Sequence, residues 1–244
     1  MRFAVVFLAL FSLATTSSAS WNGAKNAADD IVYKGITATF YCGCTYKSDG
    51  DSDGSGKITD TKTCGYVGPA KHSHRAGRVE WEHIVPASLM PARQFECWTN
   101  PPDGQSGRSH CEKTDPRAQA MIFDLHNLAP SIGQVNALRN NDRYGDLPDS
   151  ASDFGECAIE DAKGLFEPHD CIKGDVARVW FYMRMQHGVQ IPSAEDAMFQ
   201  AWALADPVSP WERERQDRIE AETSIGNPFV KAAIPNSAGS CPWE

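Results

Sequence analysis

Residues 78–87, Arg-Val-Glu-Trp-Glu-His-Ile-Val-Pro-Ala, alternate apolar and polar side chains with a period of two. Val79, Trp81, His83 and Val85 fall on one side. Arg78, Glu80, Glu82 and Ile84 fall on the other, which predicts a strand with one apolar face. Pro86 cannot donate to a central ladder, so the strand should stop nearby. Adjacent residues of a regular strand point to opposite faces. Glu82 and His83 can therefore share a site only if the strand ends or bulges there. Taken alone, the run reads better as a core strand with a satisfied histidine and two surface carboxylates, because perturbed acid–base groups are rarer than packed ones.

The rest of the pattern is coarser. Ala24 to Tyr33 predicts a weak helix, and Ile36 to Tyr41 a strand running into the first cysteines. Residues 97–117, rich in Gly, Pro, Ser and Asn, read as a loop held by Cys97 and Cys111. Pro130 followed by Ser131-x-x-Gln134 has the form of a capping box and predicts a helix from there. On that helix Asn136, Asn140 and Arg143 would share a face with Arg139 at its edge, while Val135 and Leu138 pack. From Asp175 an apolar stripe (Val176, Val179, Trp180, Met183) predicts a helix up to Gly188. Further helices should start at Ser193 and at Ser209-Pro210-Trp211-Glu212. The charges from Glu212 to Arg218 look like a solvated helix face. The fold class is mixed α+β with a helical C-terminal part.

Composition narrows the setting. With 244 residues, 41% hydrophobic and 23% charged, the chain suits a single domain. Arg2, the apolar run Phe3 to Leu13 and the small residues that follow have the form of a signal peptide over residues 1–20, cleaved after Ala19 or Ser20. That apolar run is too short to span the ~30 Å hydrocarbon core of a bilayer, so no membrane partner is expected. Residues 21–244 would be the mature domain, a monomer in the periplasm or outside the cell. The 8 cysteines then favour a disulfide-braced chain. Neighbours in sequence suggest Cys97–Cys111 and Cys157–Cys171. The formal net charge of −9 argues against a protein held to DNA or membrane by bulk charge. A local basic patch remains, since Lys71, His72, His74, Arg75 and Arg78 lead into the opening motif.

The candidate chemistry is sparse. Asp49, Asp51 and Asp53 before Gly54 resemble the start of a calcium loop, a candidate Ca²⁺ site. However, Gly56 and Asp60 break the pattern, and a solvated acidic turn fits better. Arg108 beside Cys111 could present a fixed fork of donors to a phosphate. An asparagine inside a helix, as at Asn136, calls for a reason. No Gly-rich phosphate loop, nucleophile elbow or His-Glu-x-x-His is found.

Several stretches together resemble one family. They are Tyr41-Cys42-Gly43-Cys44, Cys64-Gly65-Tyr66, Glu80-Trp81-Glu82-His83-Ile84-Val85-Pro86-Ala87, Cys97-Trp98, Asp124-Leu125-His126-Asn127-Leu128 with Pro130, Val135-Asn136 with Arg139, and Asn227-Pro228-Phe229-Val230. In this order they resemble the bacterial endonuclease I family of periplasmic and secreted nucleases. The resemblance implies a ββα-metal finger that cuts DNA and RNA with little sequence preference, leaving 5′-phosphate and 3′-hydroxyl ends. Glu82 and Asn136 would hold Mg²⁺, for which Mn²⁺ or Ca²⁺ could substitute structurally. His83 would be the general base, expected to titrate near pH 7, and Arg108 would steady the phosphate. Arg75, Arg78, Arg139 and Arg143 would contact substrate. Arg213 stands where the family has cysteine, and the tail motif is reduced to Gly226-Asn227-Pro228. The alternative class is a disulfide-stapled calcium- or ligand-binding module without activity.

Overall fold

The computed structural model describes residues 20–50, 56–148, 154–162, 164–237 and 240–243. Helix α1 (Trp21–Ala27) is capped by Ser20, whose hydroxyl accepts from the Gly23 N–H at 3.0 Å. It continues as a wider coil through Ala28–Val32, burying Ala24, Ala27, Ala28 and Val32. That i, i+3, i+4, i+8 spacing is the stripe of a helix lying on a core. The strand expected over Ile36 to Tyr41 is absent. The chain turns tightly instead, with Cys44 N–H on Thr39 Oγ1 and Gly43 N–H on the Thr39 carbonyl.

Strands β1 (Thr45–Ser48), β2 (Gly56–Asp60), β3 (Arg78–His83) and β4 (Leu128–Ile132) form one antiparallel sheet in that order. β3 is where the alternation places it and stops at His83. The Asp-rich segment joins β1 to β2. Asp51 and Asp53 lie outside the described residues, but the flanking elements are strands, not the helices that frame a calcium loop.

β4 corrects the expected helix start. Leu128–Ile132 is fully buried and pairs with β3 from Val79↔Ile132 to His83↔Leu128. As the last strand of the sheet it tolerates Pro130. Helix α5 (Gly133–Arg139) begins directly after the strand with no side-chain cap. Gln134 ties down the preceding loop instead, donating to the Pro69 and Lys71 carbonyls and accepting from Tyr66. α5 ends at Asn140, which has φ 50°, so Asn140 and Arg143 are not on its face.

Residues 97–117 are a loop only over 100–106, and the expected Cys97–Cys111 bridge spans it. Apart from Asp115 the rest is helical, within α2 (Glu96–Thr99), α3 (Gly107–Thr114) and α4 (Pro116–Ile122). Ser106 caps α3, and Asp115 caps α4 with Pro116 at its first position. A small second sheet contains β5 (Arg143–Tyr144), β6 (Glu160–Ala162) and β7 (Leu165–Glu167), with β7 in the centre. The C-terminal part is helical as expected, with α6 (Lys173–His187), α7 (Ser193–Ala205), α8 (Pro210–Thr223) and α9 (Pro228–Lys231). Glu212, Arg215 and Gln216 of α8 are buried, so that stretch is not a solvated face. Arg215 Nη2 donates to the carbonyls of Leu125, His126 and Leu128, each at 3.0 Å.

All eight cysteines pair, as Cys42–Cys157, Cys44–Cys64, Cys97–Cys111 and Cys171–Cys241. Cys157–Cys171 is thereby overturned: Cys157 returns to the first turn and Cys171 holds the C-terminal tail. Arg213 of α8 ties down the end of α9 and the chain after it, donating to the Lys231 and Ala233 carbonyls.

The span of each bridge sets its expected contribution. Cys42–Cys157 closes a separation of 115 residues and Cys97–Cys111 one of 14. Chain-entropy loss in the unfolded state should make the first worth about 4–5 kcal/mol and the second about 3 kcal/mol. Urea unfolding of the two paired Cys→Ala variants should show this order, and the reverse order would mean native-state strain dominates.

Candidate active site

The sheet's antiparallel pair β3–β4 runs directly into α5, a ββα arrangement with the end of β3 facing the helix. A cleft of about 580 Å³ opens there. Its walls include Glu80, Glu82 and His83 from β3, Asn136 from α5, Arg108 from the first turn of α3, and Trp21 and Lys25 from α1. Glu82, His83, Arg108 and Asn136, dispersed over 55 residues of sequence, thus line one space.

Arg139 resolves how neighbouring strand residues come to share it. Its guanidinium is fully buried and donates to Glu82 Oε1 at 2.6 Å, to the His83 carbonyl at 2.6 Å and to the Ile84 carbonyl at 2.7 Å. The last two carbonyls are drawn to a side chain, and the β3–β4 ladder stops at His83. Arg139 is therefore an internal strut and not a substrate contact. Tyr41 adds a hydroxyl to Glu82 Oε1 at 3.1 Å and lies 2.6 Å from the Tyr144 hydroxyl. Burial pushes the Glu82 carboxyl up, while Arg139 and Tyr41 pull it back. With Oε1 engaged, Oε2 is the oxygen Glu82 can offer to the cleft.

His83 is held on two sides. Nε2 lies 2.7 Å from the Ile122 carbonyl, and Trp21 stacks on the ring at 5.1 Å between centroids with 13° between planes. A carbonyl only accepts, so Nε2 carries the proton and Nδ1 keeps a lone pair. Burial, with Arg108 adding to it, pushes the imidazole down to about 3, against the expectation of a group titrating near pH 7. The ring is thus a fixed neutral tautomer.

Arg108 is oriented by Glu112 one turn on, at 2.7 Å, and its guanidinium lies 5.6 Å from the Trp21 ring. The Cys97–Cys111 bridge fastens its helix to α2. The Asn136 amide nitrogen donates to Glu80 Oε2 at 2.8 Å, which leaves Oδ1 as the end that can act as a ligand. Arg75 and Arg78 line the cleft but both pair with Glu80. Arg143 does not reach the cleft, since it forks onto Glu195 at 2.5 and 2.6 Å. Trp21, Lys25 and Glu80 also line the cleft, and none of them is among the site residues expected from the sequence. Glu80 had a signal, because period two places it on the Glu82 face; Trp21 and Lys25, far away in sequence, had none.

The family model described as Endonuclease I matches residues 22–234. The chain belongs to the endonuclease I family. It is 36% identical over 203 residues to an extracellular deoxyribonuclease of Aeromonas hydrophila, covering 82% of this chain and 83% of that one. It is 35% identical over 203 residues to a periplasmic deoxyribonuclease of the same organism, covering 82% and 81%. It is 34% identical over 192 residues to Endonuclease-1 of Buchnera aphidicola, covering 77% and 71%. Endonuclease I membership displaces the binding-module alternative. Among the described residues no helix is long and apolar enough to cross a membrane.

Two outcomes test this endonuclease I site without substrate. Arg139→Met leaves Glu82 buried beside two unmet carbonyls and should cost about 3–5 kcal/mol in urea unfolding at pH 7. A change below 1 kcal/mol would mean that Glu82 does not depend on the guanidinium. The second concerns acid. His83 is depressed from 6.5 to about 3, so between those values the unfolded chain binds a proton that the native chain does not. Its contribution is complete above about pH 6.5 and is lost as pH falls toward 3. His83→Asn should therefore lose less stability on acidification than the wild type, in metal-free protein; parallel slopes would count against a neutral buried ring.

Proposed function

We propose that this chain is a secreted or periplasmic, sequence-nonspecific endonuclease that hydrolyses the phosphodiester bonds of DNA and RNA with the help of one divalent ion. The observation that carries the reading is the meeting of Glu82, His83, Arg108 and Asn136 in one cleft of a chain matched to endonuclease I over most of its length. Contacts to phosphate and sugar carry no base information, which accounts for low sequence preference.

Glu82 Oε2 and Asn136 Oδ1 would hold the ion. Both are hard oxygen donors, and only two protein ligands suit a cation such as Mg²⁺ that keeps much of its water. When bound, the ion supplies positive charge against the charge that builds on the phosphate and leaving oxygens. Arg108 binds a non-bridging phosphate oxygen with a fixed fork. His83 Nδ1 takes a proton from the attacking water as its oxygen bonds to phosphorus and the P–O3′ bond breaks, leaving a 5′-phosphate. The O3′ takes a proton from solvent and becomes the 3′-hydroxyl. The low basicity of the buried imidazole is offset in the complex, because the incoming phosphate opposes the charge of Arg108 and favours the imidazolium that forms. The Ile122 carbonyl also accepts a hydrogen bond from Nε2–H of that cation.

Supercoiled plasmid should be degraded by the purified mature protein in Mg²⁺, and EDTA should abolish this. His83→Ala should reduce the rate by about 10²–10⁴-fold, the range of general-base help. Intact plasmid with wild-type protein whose four disulfides are verified would overturn the nuclease reading. Undiminished cleavage by His83→Ala would remove histidine as the base.

A further inference from the structure

Glu80 has no part in the reaction above, yet it lies on the same cleft as Glu82, two residues earlier on β3. A second carboxylate beside a cation site would normally compete for the ion. Its contacts prevent that. Oε1 accepts from Arg75 Nε at 2.8 Å and from Arg78 Nε at 2.6 Å. Oε2 accepts from Arg75 Nη2 and, at 2.8 Å, from the Asn136 amide nitrogen. The start of α5 is shaped around this group. A Cβ on Gly133 would stand 2.8 Å from Glu80 Oε1 and 2.9 Å from the Arg75 carbonyl oxygen, so glycine is what lets them close on the helix.

We propose that Glu80 is a positioning residue of the metal site: held by Arg75 and Arg78, it fixes the Asn136 amide with its nitrogen toward the strand and its oxygen toward the ion, while being withheld from the ion itself. This rests on the reading of Asn136 as a ligand. The two ends of an amide are nearly the same in shape, but only the oxygen can bind a cation. A neighbour that only accepts imposes one orientation. Glutamine at 80 would not. Its oxygen would turn to the two arginine Nε groups and its NH₂ to Asn136, drawing Oδ1 away from the cleft and presenting Nδ2 instead. Arg75 and Arg78 thereby act first on Glu80, and the substrate meets a basic wall whose charge is already part-balanced.

The experiment is Mn²⁺ titration of the substrate-free protein, by calorimetry or by the electron paramagnetic resonance of the free ion. Wild type, Asn136→Ala, Glu80→Gln and Glu80→Gln/Asn136→Asp would be compared, with thermal melts run alongside. Glu80→Gln should weaken Mn²⁺ binding by about 10–100-fold, the usual effect of removing a group that orients a ligand. Adding Asn136→Asp should restore binding to within a few-fold of wild type, because a carboxylate offers an oxygen at both ends and cannot be misoriented. If Asn136→Ala weakens binding and Glu80→Gln does not, the positioning role fails while the ligand assignment stands. Loss in Glu80→Gln without rescue by Asn136→Asp would assign Glu80 a merely structural role. Unchanged Mn²⁺ affinity in Asn136→Ala would overturn the ligand assignment itself, and the proposal with it.

Discussion

A single buried guanidinium holds the end of β3 in place. Arg139, fully buried, binds the Glu82 carboxylate and the next two backbone carbonyls with three charge-assisted hydrogen bonds. Desolvating such a pair costs nearly as much as its attraction returns, so its value is not mainly stability. What it fixes is geometry. It is attached to α5, the helix that also carries Asn136, so one rigid element sets both proposed oxygen ligands at once. The same strand end delivers His83 to the carbonyl of Ile122 on the opposite side. Tyr41, Tyr144 and the bridge Cys42–Cys157 close around the pair from behind. The ordering of the site is thus spread through the core rather than left to the loops at its rim.

The same kind of interaction recurs on the far side of β4. Arg215 of α8 gathers the carbonyls of Leu125, His126 and Leu128 and the Tyr33 hydroxyl. β4 is the last strand of its sheet and carries a proline, so its ends leave backbone acceptors that no neighbouring strand can meet. Buried arginines on the packed helices meet them instead. Arg178 does the same within the helical part, between Glu212 and the Asp206 carbonyl.

This explains what could be read in the sequence and what could not. β3 was legible because its two faces differ in polarity, whereas Glu82, His83, Asn136 and Arg108 stood out only through the family resemblance, and the fold brings them to one cleft. The helices α6 to α8 were legible from an apolar stripe and from Ser209-Pro210. Arg139 and Arg215 were misread, one as a substrate contact and one as part of a solvated face. A charged residue announces no burial by itself, and its partners here are backbone carbonyls, which have no sequence signature. Ser131 and Gln134 mimicked a capping box because the motif is local, whereas the pairing of β4 with β3 is not. The helices within 97–117 carried true start signals, Ser106 and Asp115-Pro116, obscured by glycine and proline around them. Cysteine pairing failed at Cys157 and Cys171 for the same reason: proximity in sequence says little when the partners are 115 and 70 residues away.

The charge balance of the cleft follows from these placements. The chain is acidic overall at −9, yet Lys25, Arg75, Arg78 and Arg108 all face the cleft, against Glu80 and Glu82. Glu82 is answered by Arg139 from the interior and Glu80 by Arg75 and Arg78 from the rim. What is left toward solvent is a small surplus of positive charge around a neutral histidine. Burial chiefly depresses His83 and the Arg108 guanidinium adds to it; in the proposed mechanism a phosphodiester beside Arg108 would oppose that second contribution. A strongly basic surface would hold nucleic acid through released counterions at every position. Here four cations gather on the cleft of a chain that is acidic overall at −9, so attraction for a phosphate comes from the cleft and not from the net charge.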